Sequence, residues 1–371
     1  MVLYRKYRPR SFAEVVGQEH VVETLQGALQ TGRLAHAYLF TGPRGTGKTS
    51  LARILAKAVN CDRAMSEGVL RPTGRMYDAC AICHSCKEVE EGRAMDLIEI
   101  DAASNRGIDD IRALREGTRF SSMNAGKHKV YIIDECHQLS KDASNALLKT
   151  LEEPPAKTLF VLATTEPYKV LPTIISRTQK FDFKKLNTEQ ILSKLQHIAL
   201  SEKIKIEKEL LRLLARQAEG SLRDAESNLA KLIAFKGQTI DEEGVKEVLG
   251  IIPFNFYHDF FRLVQAKNKT EALALVGRVY ESGLDLDNFT KGLLDYGRRV
   301  LVARANPADA NAFSADLGED SSQKIASLAK EIDGQGILKL ISALMRAQQE
   351  IKISPIPQLP LEIAVSELIE T

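Results

Sequence analysis

The sequence predicts an open α/β domain built on a parallel sheet and followed by helical domains. Short apolar runs rich in β-branched residues alternate with helical patterns over the first half of the chain, and this strand signal is lost after about residue 183. Alternating strands and helices are typical of a helix-covered parallel sheet. The length of 371 residues also exceeds a single domain, because domains usually contain roughly 100–200 residues.

The expected strands follow one another along the first half. Most are almost continuously apolar, which predicts burial on both faces of the sheet. The last pattern is weaker than the others. The strands are expected at 37–40, 97–100, 130–133, 159–162 and 179–183, with helices between them at 49–59, 108–120 and 141–151.

The second half of the chain has helical patterns separated by short polar breaks. A Gly-Ile-Ile-Pro turn at 250–253 is the expected boundary within it. Beyond this turn long apolar-periodic helices are expected, among them 270–280 and 336–351. These observations predict three domains, which span 1–183, 184–249 and 250–371.

Composition excludes several classes of protein. Hydrophobic residues make up 44% and charged residues 27%, which is typical of globular chains and not of disordered ones. The formal net charge of +2 means that any nucleic-acid contact must come from local basic patches. The basic N-terminus has no following apolar segment, and no run of 18 apolar residues occurs. We therefore expect a cytoplasmic protein that does not span a membrane.

A phosphate-binding loop is expected between the first strand and the first long helix. Residues 42–49 match the pattern Gly-x-x-x-x-Gly-Lys-Thr/Ser in the strand-to-helix context that this motif requires. Its backbone N–H groups would surround phosphate oxygens, while Lys48 reaches the β/γ phosphates and Thr49 ligates Mg²⁺. The alternative is a glycine-rich turn that matches by chance. The expected nucleotide-binding residues are Gly42, Pro43, Arg44, Gly45, Thr46, Gly47, Lys48, Thr49 and Ser50.

Two carboxylates follow the expected strand at 130–133. They lie at its carboxyl end, where ligands bind in open α/β sheets. Asp134 is expected in the Mg²⁺ shell, and Glu135 is expected to activate the attacking water. Considered alone, an Asp-Glu pair after a strand is more typical of a solvated turn. The complete phosphate loop upstream favours the catalytic interpretation.

Four of the five cysteines are clustered, which favours a metal site in a chain without a secretion signal. Four thiolates at this spacing can surround a tetrahedral Zn²⁺ and leave no open position for catalysis. His84 could replace one sulfur, although a solvent-facing His84 is the simpler interpretation. Cys136 stands apart and is expected to be a packed thiol. The predicted zinc ligands are Cys61, Cys80, Cys83 and Cys86.

Several segments carry a resemblance to a known family. The sequence is similar to the γ/τ subunits of bacterial DNA polymerase III, the ATP-driven motors of the sliding-clamp loader in the AAA+ class. This resemblance covers roughly residues 4–230, and beyond 250 it extends only to length and helical pattern. It implies an AAA+ P-loop core with an inserted zinc module at about 61–86, a small helical lid and an all-α collar. The matching stretches are 7–18, 36–40, 96–104, 145–155, 162–165 and 220–224.

The resemblance also implies roles for individual residues. Thr165 would be the polar sensor of the γ-phosphate, with Thr164 as the alternative. Arg223 in the lid would reach back to the phosphates. Arg177 resembles the family's arginine finger, which acts on the ATP of a neighbouring subunit. The family pattern is Ser-Arg-Cys, and this chain has Thr178 instead of the cysteine.

The N-terminal segment is expected at the base of the nucleotide. Val15 and Val16 resemble the segment that packs on adenine, with Arg8 close by. The alternative is that this apolar pair only anchors the segment to the core.

The resemblance implies partners as well. These are companion subunits of the delta and delta-prime types in a hetero-pentameric ring, the sliding clamp, and primed DNA. Phosphate contacts suffice for DNA, because clamp loading is not sequence-specific. Candidate contacts are Asn105, Arg106 and the turn at 125–129, where solvated surface charge is an equal alternative.

Three other classes of function fit part of the sequence. An inactive stator subunit of the same complex would not need the complete set Lys48, Thr49, Asp134 and Glu135. A branch-migration helicase shares the ATPase core but gives no reason for the four cysteines. A scaffold without enzymatic activity would not need Glu135.

Overall fold

A computed structural model of the chain describes residues 2–63, 77–105, 107–118, 122, 127–250, 252–306 and 319–370. The chain forms two compact units, Met1–Gly244 and Val245–Thr371. The boundary between them falls within a helix, Glu242–Leu249, and not at the expected turn at 250–253. The finer division into three domains stays a prediction.

The first unit contains a five-stranded parallel sheet. Its strands are β1 (Ala37–Thr41), β2 (Leu97–Asp101), β3 (Lys129–Asp134), β4 (Thr158–Thr164) and β5 (Gln179–Asp182). Their order is β2-β3-β4-β1-β5. All the expected strands are therefore confirmed. Burial on both faces holds for β1 and β4, whereas the edge strands β2 and β5 are partly exposed, because an edge strand has a neighbour on one side only.

Helices cover both faces of this sheet, as the alternating pattern predicts. The helices of this part of the chain are α1 (Leu3–Lys6), α2 (Glu19–Thr31), α3 (Lys48–Val59), α4 (His84–Glu91), α5 (Ile108–Thr118), α6 (Lys141–Glu152) and α7 (Pro172–Ile175). Successive residues of β1 enter opposite cores: Tyr38 and Phe40 join one cluster of buried residues, and Ala37 and Leu39 join the other. This is the two-residue period of a strand.

The remainder of the first unit is mainly helical. It contains α8 (Thr188–Ser201), α9 (Lys208–Gln217), α10 (Leu222–Lys236) and the start of α11 (Glu242–Leu249). The expectation that strands end at about residue 183 is wrong, because β6 (Lys205–Ile206) pairs in parallel with β7 (Thr239–Ile240). Strands of two residues are too short to produce a periodic pattern.

The second unit is all-helical within the described residues. It consists of α12 (Phe254–Gln265), α13 (Lys269–Glu281), α14 (Leu286–Ala305), α15 (Glu319–Glu331), α16 (Gly334–Ile351) and α17 (Leu359–Glu370). Phe260, Phe261, Phe289 and Tyr296 lie in its core. No helix in the described part of the chain is long and apolar enough to cross a membrane.

Candidate functional site

The glycine-rich loop connects β1 to α3 and requires its glycines. Gly42, Gly45 and Gly47 have φ angles of 142°, 75° and 99°. Residues that carry a Cβ rarely adopt such positive angles. A Cβ on Gly45 would also overlap the side chain of Ser221. Ser221 caps the start of α10, so the loop lies directly against the first turn of that helix.

Lys48 is buried at the start of α3, with 6% of its surface exposed. Its Nζ donates hydrogen bonds to the carbonyl oxygens of Gly42 at 2.7 Å and Pro43 at 2.8 Å. Burial lowers the pKa of Lys48, while the charges of Glu135 and Asp134 act against this shift. The ammonium group is therefore held over the loop by carbonyl oxygens that a phosphate could replace.

Thr49 and Asp134 meet across the ends of α3 and β3. The Thr49 hydroxyl donates to Asp134 Oδ2 at 2.7 Å. The other carboxylate oxygen, Oδ1, accepts from the backbone N–H of Glu135 at 3.0 Å. A hydroxyl and a carboxylate at this separation offer two hard oxygen ligands to one cation.

Glu135 follows β3 in the left-handed backbone conformation, with a φ of 48°. Its Oε2 accepts from the Thr165 hydroxyl at 3.0 Å and from the Thr165 backbone N–H at 3.2 Å. Thr164 is fully buried and its hydroxyl contacts His137 Nδ1 at 2.9 Å instead. Of the two candidate sensors, Thr165 is the one in contact with Glu135.

One pocket brings most of the expected site residues together. Gly42 and Pro43 do not line this pocket, but their carbonyl oxygens accept hydrogen bonds from Lys48. Thr165 does not line it either and contacts the lining residue Glu135. The expected residues that line it are Arg8, Val15, Val16, Arg44, Gly45, Thr46, Gly47, Lys48, Thr49, Ser50, Asp134, Glu135 and Arg223.

The sequence analysis missed other residues of this pocket. The Arg223 guanidinium lies 4.8 Å from the centre of the Tyr4 ring, so α1 and α10 meet above the loop. His137 was missed beside the pocket, where its Nδ1 lies 3.4 Å from Glu135 Oε2; its place two residues after Glu135 is the signal that could have found it. The other lining residues that were missed are Tyr4, Pro9, Glu14, Leu186, Lys194, Leu222 and Glu226.

Arg177 lies apart from the pocket of its own chain. It follows α7 and forms an ion pair with Glu152 at 2.6 Å. Its Nη1 also donates to the carbonyl of Thr173 at 2.9 Å. About a third of its side chain is exposed, so its guanidinium is accessible at the surface of the single chain.

The four cysteines converge as the spacing predicts. The Sγ atoms of Cys61, Cys80, Cys83 and Cys86 all lie within 4.8 Å of one another. Backbone N–H groups of Cys80 and Cys83 donate to the sulfurs of Cys61 and Cys80, both at 3.3 Å. The side chain of His84 is 83% exposed and faces Glu88, so it is not part of the cluster.

The remaining candidate residues have structural contacts or lie outside the described residues. Lys127 forms an ion pair with Asp62 at 2.8 Å, and Lys129 donates to the carbonyl of Gly117 at 2.8 Å. Cys136 is a buried thiol among apolar side chains. Arg106, residues 125–126 of the expected DNA-contacting turn, and most of the loop between Cys61 and Cys80 lie outside the described residues.

The fold and the site together define the class. A phosphate loop between β1 and α3, an acidic pair at the end of β3, the strand order and the helical lid segment are those of an AAA+ P-loop ATPase fold. Three family descriptions match successive parts of the chain. They are "DNA polymerase III, delta subunit" at 17–187, "DNA polymerase III clamp loader subunit, ATPase lid domain" at 190–238, and "DNA polymerase III subunits gamma and tau domain III" at 240–371.

The chain belongs to the γ/τ family of DNA polymerase III subunits, which confirms the resemblance. It is 32% identical to DNA polymerase III subunit gamma of Buchnera aphidicola over 99% of this chain and 98% of that one. It is 38% identical to subunit tau of Bacillus subtilis over 100% of this chain and 63% of that one, and 38% identical to subunit tau of Escherichia coli over 98% and 54%. The chain thus spans about half to two thirds of these tau subunits.

Among solved structures, the RuvB Holliday junction branch migration motor of Thermotoga maritima matches with a TM-score of 0.47 and 19% identity, over 70% of this chain and 79% of that chain. At this TM-score the match carries no information about activity. Family membership decides against the branch-migration alternative.

Proposed function

We propose that this chain is the ATP-hydrolysing motor subunit of a bacterial sliding-clamp loader. The observation that carries the proposal is the meeting of Lys48, Thr49, Asp134 and Glu135 in one pocket of a γ/τ family chain. An inactive stator would not need this complete set.

The triphosphate is held by the loop between β1 and α3. Backbone N–H groups of the loop and the start of α3 face the phosphates, where a helix N-terminus favours negative charge. Lys48 exchanges its two carbonyl contacts for β/γ-phosphate oxygens. Val15 and Val16 pack on adenine, and Arg223 reaches the phosphates from the lid.

The residues fit a magnesium ion. Thr49 and Asp134 place oxygen atoms 2.7 Å apart, and oxygen is the ligand that Mg²⁺ prefers. When bound, Mg²⁺ neutralises charge on the phosphates. Glu135 orients and deprotonates the attacking water, and Thr165 fixes that carboxylate from the neighbouring strand. Thr165 also acts as the polar sensor, because a γ-phosphate that draws on its hydroxyl changes the position of Glu135.

Arg177 completes the site of a neighbouring subunit. Its guanidinium stabilises charge in the transition state and comes from outside the pocket of its own chain. Fast hydrolysis therefore requires assembly. The second unit is the collar that holds the ring, and its helix α16 exposes about half of both Leu338 and Met345, which lie seven residues apart and hence on one face.

The cysteines fit a structural zinc ion. Four sulfurs at the usual Zn–S distance of about 2.3 Å form a tetrahedron with edges of about 3.8 Å, and Cys80 Sγ lies 3.9 Å from Cys86 Sγ. Contact with Cys61, and then burial, raises the pKa of the Cys86 thiol. Zn²⁺ supplies the positive charge that four converging thiolates need, and the cysteines then tie the chain just after the end of α3 to the start of α4.

The remaining partners follow from the family. The chain assembles with delta- and delta-prime-type subunits in a hetero-pentameric ring, opens the sliding clamp and loads it on primed DNA in the cytoplasm. Within the chain, residues 1–183, 184–249 and 250–371 act as ATPase core, lid and collar.

The experiment compares ATP turnover by the chain alone and in a mixture with companion subunits, clamp and primed DNA. The proposal expects slow hydrolysis by the chain alone and strong stimulation in the complete mixture. Equal rates with and without clamp and DNA would contradict the clamp-loading function. An absence of ATP binding would contradict the ATPase assignment itself.

A further inference from the structure

A buried carboxylate lines the nucleotide pocket without a hydrogen-bond partner. Glu226 lies on α10 with 4% of its surface exposed. Within the described residues, no hydrogen bond or ion pair of its side chain is found; only the more distant charges of Lys194 and Arg8 act on it. An unpartnered buried carboxyl group destabilises a fold, which points to a role in binding.

The position of Glu226 in the pocket is set by the direction of α10. This helix starts at the phosphate loop, where the backbone N–H of Leu222 donates to the carbonyl of Gly45 at 3.2 Å. Four residues further along, Glu226 is displaced by about 6 Å along the axis and lies on the same helix face as Leu222. If the phosphates lie on the loop, Glu226 is therefore displaced from them towards the part of the pocket that would hold the rest of the nucleotide.

The surroundings of Glu226 suit a purine base. Val15, Val16, Leu186 and Leu222 provide apolar surface in the same pocket. A flat heteroaromatic ring packs against such surface, while its edge needs polar partners. In its ionised form a buried carboxylate accepts hydrogen bonds only, so it selects an edge that carries N–H donors. The exocyclic 6-amino group of adenine is a donor of this kind.

We propose that Glu226 accepts a hydrogen bond from the 6-amino group of adenine and sets the base preference of this site. The assignment rests on the proposed function, since it requires a nucleotide on the phosphate loop. It makes Glu226 a specificity-determining residue that contacts the base, distinct from the residues that act on the phosphates.

The test compares binding of ATP with purine riboside 5′-triphosphate, which lacks only the 6-amino group. Calorimetry measures the dissociation constants of both nucleotides for the full chain, Glu226→Leu and Glu226→Gln. The compared quantity is the dissociation constant of the analogue divided by that of ATP. Loss of a hydrogen bond to a charged group costs about tenfold or more in affinity. We expect ATP binding to weaken by that factor in Glu226→Leu, with the analogue unaffected. Glu226→Gln keeps an acceptor oxygen and should give an intermediate ratio.

Asp224→Asn is the matched control, because Asp224 is an exposed carboxylate on the same helix that does not line the pocket. Its ratio should equal that of the unmodified chain. If the role of Glu226 is only structural, Glu226→Leu would weaken the binding of both nucleotides equally and leave the ratio unchanged. A ratio that falls less than threefold in Glu226→Leu therefore overturns the proposal. If the unmodified chain binds ATP and the ratio is unchanged, only this inference fails. If it binds neither nucleotide, the proposed function fails too.

Discussion

The nucleotide pocket and the cysteine cluster lie in the same compact unit but are built in opposite ways. In the pocket, Lys48 is held by carbonyl oxygens and Glu135 by Thr165, which are contacts that a ligand can replace. In the cluster, the four sulfurs face one another, and backbone N–H groups donate to two of them. The pocket therefore suits a ligand that binds and leaves, whereas the cluster suits a metal ion that stays bound.

This difference predicts two kinds of mutational effect. Changes in the pocket should alter the rate of ATP hydrolysis with little loss of stability. Changes in the cysteine cluster should do the reverse. Four experiments can break or sharpen this comparison.

The largest effect is expected at Arg177, which tests whether the pocket is complete in one chain. An arginine finger contributes roughly 10³–10⁵ in rate, so Arg177→Ala should lose most of the DNA-stimulated ATPase activity. Mixing Arg177→Ala chains with Lys48→Ala chains should restore part of it, because some interfaces then combine an intact loop with an intact arginine. Steady-state phosphate release measures both.

Glu152→Ala is the matched control for Arg177. It removes the ion pair at 2.6 Å and leaves the guanidinium in place, so activity should persist. Full activity of Arg177→Ala alone, or no recovery despite demonstrated subunit exchange, would remove Arg177 from the site.

The second effect concerns Glu135. Glu135→Gln keeps the size of the side chain but cannot take a proton, and a positioned base usually contributes about 10²–10⁴ in rate. We expect hydrolysis to fall by that factor while ATP binding is retained, whereas Lys48→Ala should weaken binding as well. Single-turnover hydrolysis and equilibrium binding separate the two. Glu166→Gln, a neighbouring carboxylate outside the pocket lining, should hydrolyse normally; a normal rate in Glu135→Gln would show that another group activates water.

The third effect concerns the cysteines and should appear in stability. A tightly bound ligand at 1,000 times its dissociation constant stabilises the fold by about 4.1 kcal/mol. Cys83→Ser/Cys86→Ser should therefore lose one zinc ion per chain and melt at lower temperature, with ATP affinity changed much less. Elemental analysis and thermal unfolding measure these outcomes.

Cys136→Ser is the control for the cysteines. Burial raises the pKa of Cys136 to about 12, so it is a neutral packed thiol and its loss should leave the zinc content unchanged. No zinc in the unmodified protein, or full retention in the double variant, would contradict a zinc site.

The smallest effect concerns Glu226, the pocket residue that should lower stability. Burial raises its pKa from 4.5 to about 7, so between these values the folded state binds more protons than the unfolded state. Stability should therefore fall as pH rises through this window, by no more than about 3 kcal/mol. Glu226→Gln should lack this component and be more stable than the unmodified chain at pH 8, with the difference vanishing below pH 4.5. Urea unfolding without nucleotide measures it, and identical pH profiles would mean that Glu226 is solvated.

The sheet, the phosphate loop, the acidic pair and the cysteine cluster could be predicted from the sequence, because each depends on a short-range pattern of residues. Lys48 and Thr49 are fixed by the turn geometry of their own loop, and Cys80 and Cys83 by one tight turn. The sequence did not reveal the strands Lys205–Ile206 and Thr239–Ile240, since their pairing depends on chain segments more than thirty residues apart.

The sequence by itself determined which residues carry the chemistry of phosphate and sulfur. Only the tertiary structure decided which of them share a space. Tyr4 and Arg223 meet although most of the first unit separates them along the chain, and Thr165 rather than Thr164 contacts Glu135 because alternate residues of a strand end point to opposite faces. Glu226 looks like an ordinary helical glutamate in sequence. Its burial depends on the packing of α10 against segments distant in sequence, which no local pattern records.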